Sequence, residues 1–151
     1  MKPCWQELCE VEVGPLIEWL KTASISWFEQ PSPDKPQRVY DLTAEEPARM
    51  IDHILPRFPA SVRPDWPMLS RMKPGQFHPM HVDIQRADWL TRVHVPLLTN
   101  DRCWMWFEEE EVPVHFAVGH AYTFNALRRH SFANEGDTDR VHFIFDVLLK
   151  D

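Results

Sequence analysis

Only four glycines interrupt the 151 residues, and no Gly/Ser tract, low-complexity segment or internal repeat divides them, so nothing reads as a linker between domains. A single domain over residues 1–151 is the expectation. The chain also lacks any apolar run near the roughly 18 residues needed to span a bilayer, and its start, MKPCWQELCE, has no signal-peptide core. It reads as a soluble, cytoplasmic protein. Excess positive charge is missing too: 16 Lys and Arg stand against 23 Asp and Glu, a formal net charge of −7. That argues against a nucleic-acid backbone or an anionic membrane as partner and favours a small molecule or a neutral-to-basic peptide. Cysteine is scarce and odd in number. Cys4, Cys9 and Cys103 show no C-x-x-C spacing, which indicates neither a disulfide framework nor a zinc ribbon. Nothing in the sequence sets the oligomeric state.

What the chain has is apolar residues, 44% of the total with 12% aromatic, enough for one core. Fourteen prolines punctuate it. The stretch GPLIEWLKTA (14–23) reads as a short helix or an extended segment, and QPSPDKP (30–36) as a loop. LTAEEPARMIDHILPRF (42–58) reads as a helix: Thr43 can cap, Glu45 and Glu46 favour the positive end of the dipole, and Pro47 falls in the first turn. Met50, Ile51, Ile54 and Leu55 form an apolar stripe for packing on a sheet. Residues 1–65 are thus expected to be helical or extended support for a core over 66–148.

From residue 66 onward the pattern predicts eight short strands: MLSRMK, FHPMHVD, LTRVHVPLL, CWMWFE, VPVHF, HAYTFNA, HSFAN and RVHFIFDVLL. That spacing points to an antiparallel, all-β sandwich or barrel of the jelly-roll, cupin-like kind behind an N-terminal helix. Two strands alternate informatively. One sets Arg92 and His94 against Val93, Val95 and Leu97; the other sets Arg140, His142, Ile144 and Asp146 against Val141, Phe143, Phe145 and Val147. In a jelly roll the apolar faces would pack on the helix and the Arg and His faces would line the interior.

The chemistry concentrates in HPMHVD, residues 78–83. Proline inside a helix costs about 3 kcal/mol or more, so Pro79 makes a helical H-x-x-H metal pair untenable. On a strand His81 and Asp83 share a face and His78 points the other way. Two histidines and one carboxylate on one side of a metal leave positions open for a cosubstrate and O₂, the arrangement of non-haem Fe(II) oxygenases. His94, His115, His120, His130 and His142 are candidates for the third ligand, and His130, opening HSFAN, is the best of them. Arg140 opens the final strand ten residues later, where its fork suits the distal carboxylate of a dicarboxylic cosubstrate.

Three stretches, RMKPGQFHPMHVD, TRVHVPLLTN and VGHAYTFNALRRHSFANEGDTDRVHFIFDV, together resemble the aspartyl/asparaginyl β-hydroxylase family over residues 67–148. The resemblance implies a double-stranded β-helix core and O₂-driven hydroxylation of an amino-acid or peptidyl side chain. Fe(II) and 2-oxoglutarate would be needed, with succinate and CO₂ released. By the same resemblance His81, Asp83 and His130 are the iron ligands, and Arg140 pairs with the C5 carboxylate of 2-oxoglutarate. Ser70 contacts the same carboxylate, and Arg92 and His94 line the cosubstrate pocket. Animal members lack the carboxylate ligand, so Asp83 places the chain with the small bacterial-type members. Two alternatives stay open: a cupin-like metalloenzyme that does not use 2-oxoglutarate, for which Arg140 has no purpose, and a non-catalytic jelly-roll binding module. Trp104, Trp106, Phe124 and Phe132 are candidates to shield the centre, and EEEE (108–111) is a rim turn able to attract a basic substrate.

Overall fold

A computed structural model describes residues 4–27, 35–40, 42–59, 61–83 and 87–150. Residues 30–34 of the expected loop lie outside the described residues, as do 84–86 of IQRADW (84–89), a loop expected from the sequence to shape substrate entry. In chain order the elements are β1 (Trp5–Glu10), α1 (Gly14–Thr22), β2 (Gln37–Tyr40), α2 (Glu45–Ile54), a 3₁₀ turn (Leu55–Arg57), β3 (Val62–Met72) and β4 (Phe77–His81). They continue with β5 (Trp89–Leu98), β6 (Cys103–Phe107), β7 (His120–Phe124), β8 (His130–Asn134) and β9 (Arg140–Leu149).

All strand pairs are antiparallel. One sheet of six runs β1-β7-β5-β9-β3-β2, and a smaller sheet of three runs β4-β8-β6. The alternation expected of β5 and β9 holds. Val93, Val95, Leu97, Val141, Phe143, Phe145 and Val147 form one core with Leu16 of α1 and Met50, Ile51 and Ile54 of α2. Their neighbours Arg92, His94, Arg140 and Ile144 line an interior cavity on the opposite side of the large sheet. This is the jelly roll, with the helices on the outer face of its larger sheet.

Four details differ from the sequence reading. The VPVHF stretch contributes only an isolated bridge, Val114 to Met105. The N-terminal segment supplies two strands, β1 and β2, at opposite edges of the large sheet, so it does more than support the core. The core strand β3 starts at Val62 rather than at residue 66, since Arg63, Pro64 and Asp65 are already paired with β9. Finally, Ala44 rather than Thr43 is the cap of α2, without a side-chain bond; Glu45 and Glu46 pair instead with Arg49.

Candidate active site

The turn Lys73-Pro74-Gly75-Gln76 delivers β4 to β8. Gly75 has φ +84°, Pro74 precedes it, and the Gln76 N–H donates to the Lys73 carbonyl at 3.1 Å, the arrangement of a type II turn. Along β4, His78 faces Phe132 and His81 faces His130, so the extra residue of a bulge sits between the two histidines. The bulge puts His81 and His130 side by side, with ring centroids 4.4 Å apart. It also cancels the expected alternation. His78 does not point away: its ring lies 4.1 Å from that of His81 and lines the same cavity.

Asp83 follows the end of β4, anchored where its N–H donates to the Ala126 carbonyl at 3.1 Å. Its carboxylate lies 3.4 Å from His81 Nε2 and 3.7 Å from His130 Nε2. One donor atom from each of the three residues falls within 4.8 Å of the others. Both imidazoles are held from behind, His81 Nδ1 at 2.7 Å from the Pro79 carbonyl and His130 Nδ1 at 2.8 Å from the Arg128 carbonyl. A carbonyl only accepts, so Nδ1 carries the proton in each ring. The lone pair of the neutral imidazole is then on Nε2, facing Asp83, as a metal ligand requires. Burial opposes ionisation of Asp83, but the His81 hydrogen bond and the charge of Arg92 outweigh it and hold its pKa below the usual carboxylate value. His130 is pushed down, by burial above all. For His81 burial acts downward too, yet the bonds to Asp83 and Pro79 prevail and its pKa is raised.

Behind this trio lies a cavity whose lining includes Ser70, His94, Phe124, Phe132, Arg140 and Ile144. Arg140 and Ser70 are buried, and among the described residues Arg140 Nε and Ser70 Oγ have no hydrogen-bond partner. Burial lowers Arg140 to about 10, which still leaves it charged at neutral pH. Two unspent donors in a buried cavity are costly by themselves and suit an anion that brings its own acceptors. His94 Nδ1 lies 3.0 Å from His142 Nδ1, and burial followed by the Arg140 charge drives both histidines well below their ordinary pKa. Arg92 lines the cavity as well, but its cross-strand neighbour Asp146 clasps it through two bonds of 2.7 and 3.1 Å.

Of the remaining candidates for a third ligand, His115 bonds the Cys103 carbonyl and His120 pairs with Glu7 at the sheet edge. Phe124 and Phe132 line the cavity; Trp104 sits in a small neighbouring pocket and Trp106 is exposed. The acidic run does not reach the centre: Glu108 pairs with Arg129, and Glu109 with Arg128. Sequence reasoning missed an outer groove of about 710 Å³ that opens over His81 and Asp83. Its walls include Lys35, Arg38, Tyr40, Trp66, Met68 and Val82, from β2, the residue pair just before it, β3 with its bulge, and the residue after β4. The only signal available was the positively charged, aromatic character of β2 and of the β3 start.

A jelly roll with two histidines and a carboxylate converging beside an anion-seeking cavity defines a class, the non-haem metal oxygenases. The family model for aspartyl/asparaginyl beta-hydroxylase matches residues 44–149, and the chain belongs to that family of Fe(II)- and 2-oxoglutarate-dependent enzymes. Three solved structures share its fold. A viral collagen prolyl hydroxylase from Paramecium Bursaria Chlorella virus-1 aligns at TM-score 0.67 and 10% identity, over 99% of this chain and 97% of the other. A Pseudomonas putida prolyl-4-hydroxylase aligns at TM-score 0.67 and 12% identity, over 98% and 94%. The α-ketoglutarate-dependent epimerase SnoN from nogalamycin biosynthesis aligns at TM-score 0.74 and 14% identity, over 98% and 81%. Among proteins of curated function, none matches the chain in sequence. No helix among the described residues is long and apolar enough to cross a membrane.

Proposed function

We propose that this enzyme hydroxylates an amino-acid or peptidyl side chain, with His81, Asp83 and His130 holding Fe(II) and with Arg140 and Ser70 receiving the distal carboxylate of 2-oxoglutarate. One observation carries the reading. The three donor atoms converge within 4.8 Å at the mouth of a cavity that contains two unspent donors, Arg140 Nε and Ser70 Oγ. A metalloenzyme without 2-oxoglutarate would leave those donors unused. Bound there, Fe(II) would supply the redox chemistry that activates O₂ at the expense of 2-oxoglutarate.

The protein's own residues would then bind, orient and shield. Asp83 stays ionised and offsets metal charge, while the Pro79 and Arg128 carbonyls keep both Nε2 lone pairs aimed inward. Arg140 fixes the cosubstrate by a two-point contact that a lysine cannot copy. Phe124, Phe132 and Met105 exclude water from the cavity. The Arg92–Asp146 pair braces β5 against β9 beside Asp83, and Arg92 retains N–H groups beyond the two that Asp146 takes while lining the cavity. Incubation with Fe(II), ascorbate and 2-oxoglutarate should yield succinate in wild type, and none above background in His81→Ala or His130→Ala. Succinate formation that persists in both variants would rule this assignment out.

A further inference from the structure

Among the described residues three guanidinium groups reach the two connected spaces at the centre, and they are not equally occupied. Arg92 is neutralised by Asp146, and Arg140 faces the inner cavity. Arg38, on β2, lines both the cavity and the outer groove. Its hydrogen bond runs from Nη1 to the Met68 sulfur at 3.0 Å, a weak acceptor, and among the described residues it forms no ion pair. Among the described residues the nearby carboxylates are Asp83 and Asp146, and both are already committed to the metal trio and to Arg92.

The charge balance of the loaded site isolates this residue. The two positive charges of Fe(II) cancel the two negative charges of 2-oxoglutarate. Asp83 and Asp146 offset two of the three guanidiniums, so one positive charge is left, and Lys35 at the groove rim adds to it. Arg38 is half-buried, and a guanidinium withdrawn from water without a counter-ion is unfavourable unless a ligand brings one. Next to it the groove wall carries its own signature of use. Trp66, half exposed, sits at φ 56°, in a left-handed conformation that a bulky residue rarely adopts, on the bulge of β3 where its N–H bonds the Asp65 carboxylate at 2.9 Å. Strained backbone of this kind concentrates at ligand clamps.

We propose that Arg38 is a substrate-binding residue that selects a carboxylate on the prime substrate, with Trp66 and Tyr40 forming the wall against which the substrate's body lies. This deepens the hydroxylase reading and rests on it. It makes the preferred substrate an anionic amino-acid unit, either one with a free α-carboxylate or one with a side-chain carboxylate, and it runs against attraction of a basic substrate by the acidic rim.

The test uses the full chain loaded anaerobically with Fe(II) and 2-oxoglutarate, and titration calorimetry with two matched probe pairs. N-acetyl-leucine against its amide reports the α-carboxylate; N-acetyl-aspartate α-amide against N-acetyl-asparagine α-amide reports the side-chain carboxylate. The acid of at least one pair should bind tenfold or more tightly than its neutral partner. Arg38→Met, which keeps the apolar stem, should abolish that preference while the visible absorption of the Fe(II)–2-oxoglutarate chelate and its 2-oxoglutarate dependence stay as in wild type. Trp66→Ala should weaken acid and amide alike. Equal binding of acid and amide by wild type overturns the proposal, and so does a loss of chelate affinity in Arg38→Met, which would assign Arg38 to the cosubstrate. If wild type forms no chelate yet still prefers the acid, the carboxylate site stands and the oxygenase reading falls.

Discussion

At the scale of single residues, Arg140 is the most consequential side chain beyond the three proposed ligands. Its guanidinium is buried, charged and without a carboxylate partner among the described residues. Charged hydrogen bonds are worth about 1.5–3 kcal/mol, so Arg140→Lys should raise the 2-oxoglutarate concentration for half-saturation about 10- to 100-fold and leave Fe(II) affinity unchanged. Titration of both ligands measures this directly. The His94–His142 pair makes a different prediction. Both pKa values are held well below the ordinary value of about 6.5, chiefly by burial. The unfolded chain therefore takes up protons that the folded chain cannot, so stability is full above about pH 6.5 and declines as pH falls below it. His130 adds in the same sense, whereas raised His81 runs the other way. Urea unfolding of the metal-free protein at pH 7.5 and pH 5.5 should show this loss, and His142→Gln should make it smaller. The convergence of His81, Asp83 and His130 and the inward face of Arg140 were legible in the sequence because residue type and strand parity are local properties. The face of His78 was not, because a bulge shifts parity without leaving a signature in residue types.

At the scale of elements, the hairpin from β3 to β4 sets the register of the strand that carries His81. Gly75 needs φ +84° and a Cβ there would meet nothing within 4 Å, so Gly75→Ala should cost only the backbone strain, about 1 kcal/mol. Gly136 presents the opposite case. A Cβ at that position would fall on the Asn100 side chain, which donates to Asn134 Oδ1, and Asn134 in turn bonds the Met72 and Thr138 carbonyls. Gly136→Ala should therefore destabilise by more than Gly75→Ala, and chemical denaturation of the two variants side by side checks the order. The core strands β5 and β9 were legible since their apolar faces alternate cleanly against α1 and α2. The edge strands β1 and β2 were not. WQELCE and QRVY carry charges on half-exposed edges, and their pairing is fixed by distant strands, β7 and β3.

At the scale of the whole molecule, an acidic protein of net charge −7 encloses a positively charged centre. In the acidic run Glu108 and Glu109 pair with Arg129 and Arg128, and none of its four glutamates lines the groove, so the net charge says little about what the groove receives. Composition reported the surface, and the groove arises from segments that meet only after folding, which is why it was illegible. A centre built from β3, β4, β5, β8 and β9 should couple ligand binding to global stability. At a hundredfold excess over its dissociation constant a ligand stabilises by about 2.7 kcal/mol, roughly 5–10 °C in Tm for a chain of this size. Fe(II) with 2-oxoglutarate should give that shift under anaerobic conditions in wild type and not in His81→Ala, as followed by thermal melting.

The centre itself is tested most directly by an anaerobic titration of the metal-free protein with Fe(II) and then 2-oxoglutarate, followed through the weak visible charge-transfer absorption of the chelate. A band that grows to one equivalent in wild type, vanishes in His81→Ala and requires much more 2-oxoglutarate in Arg140→Ala is the predicted result. Fe(II) binding with no band, or a band indifferent to both substitutions, would contradict it.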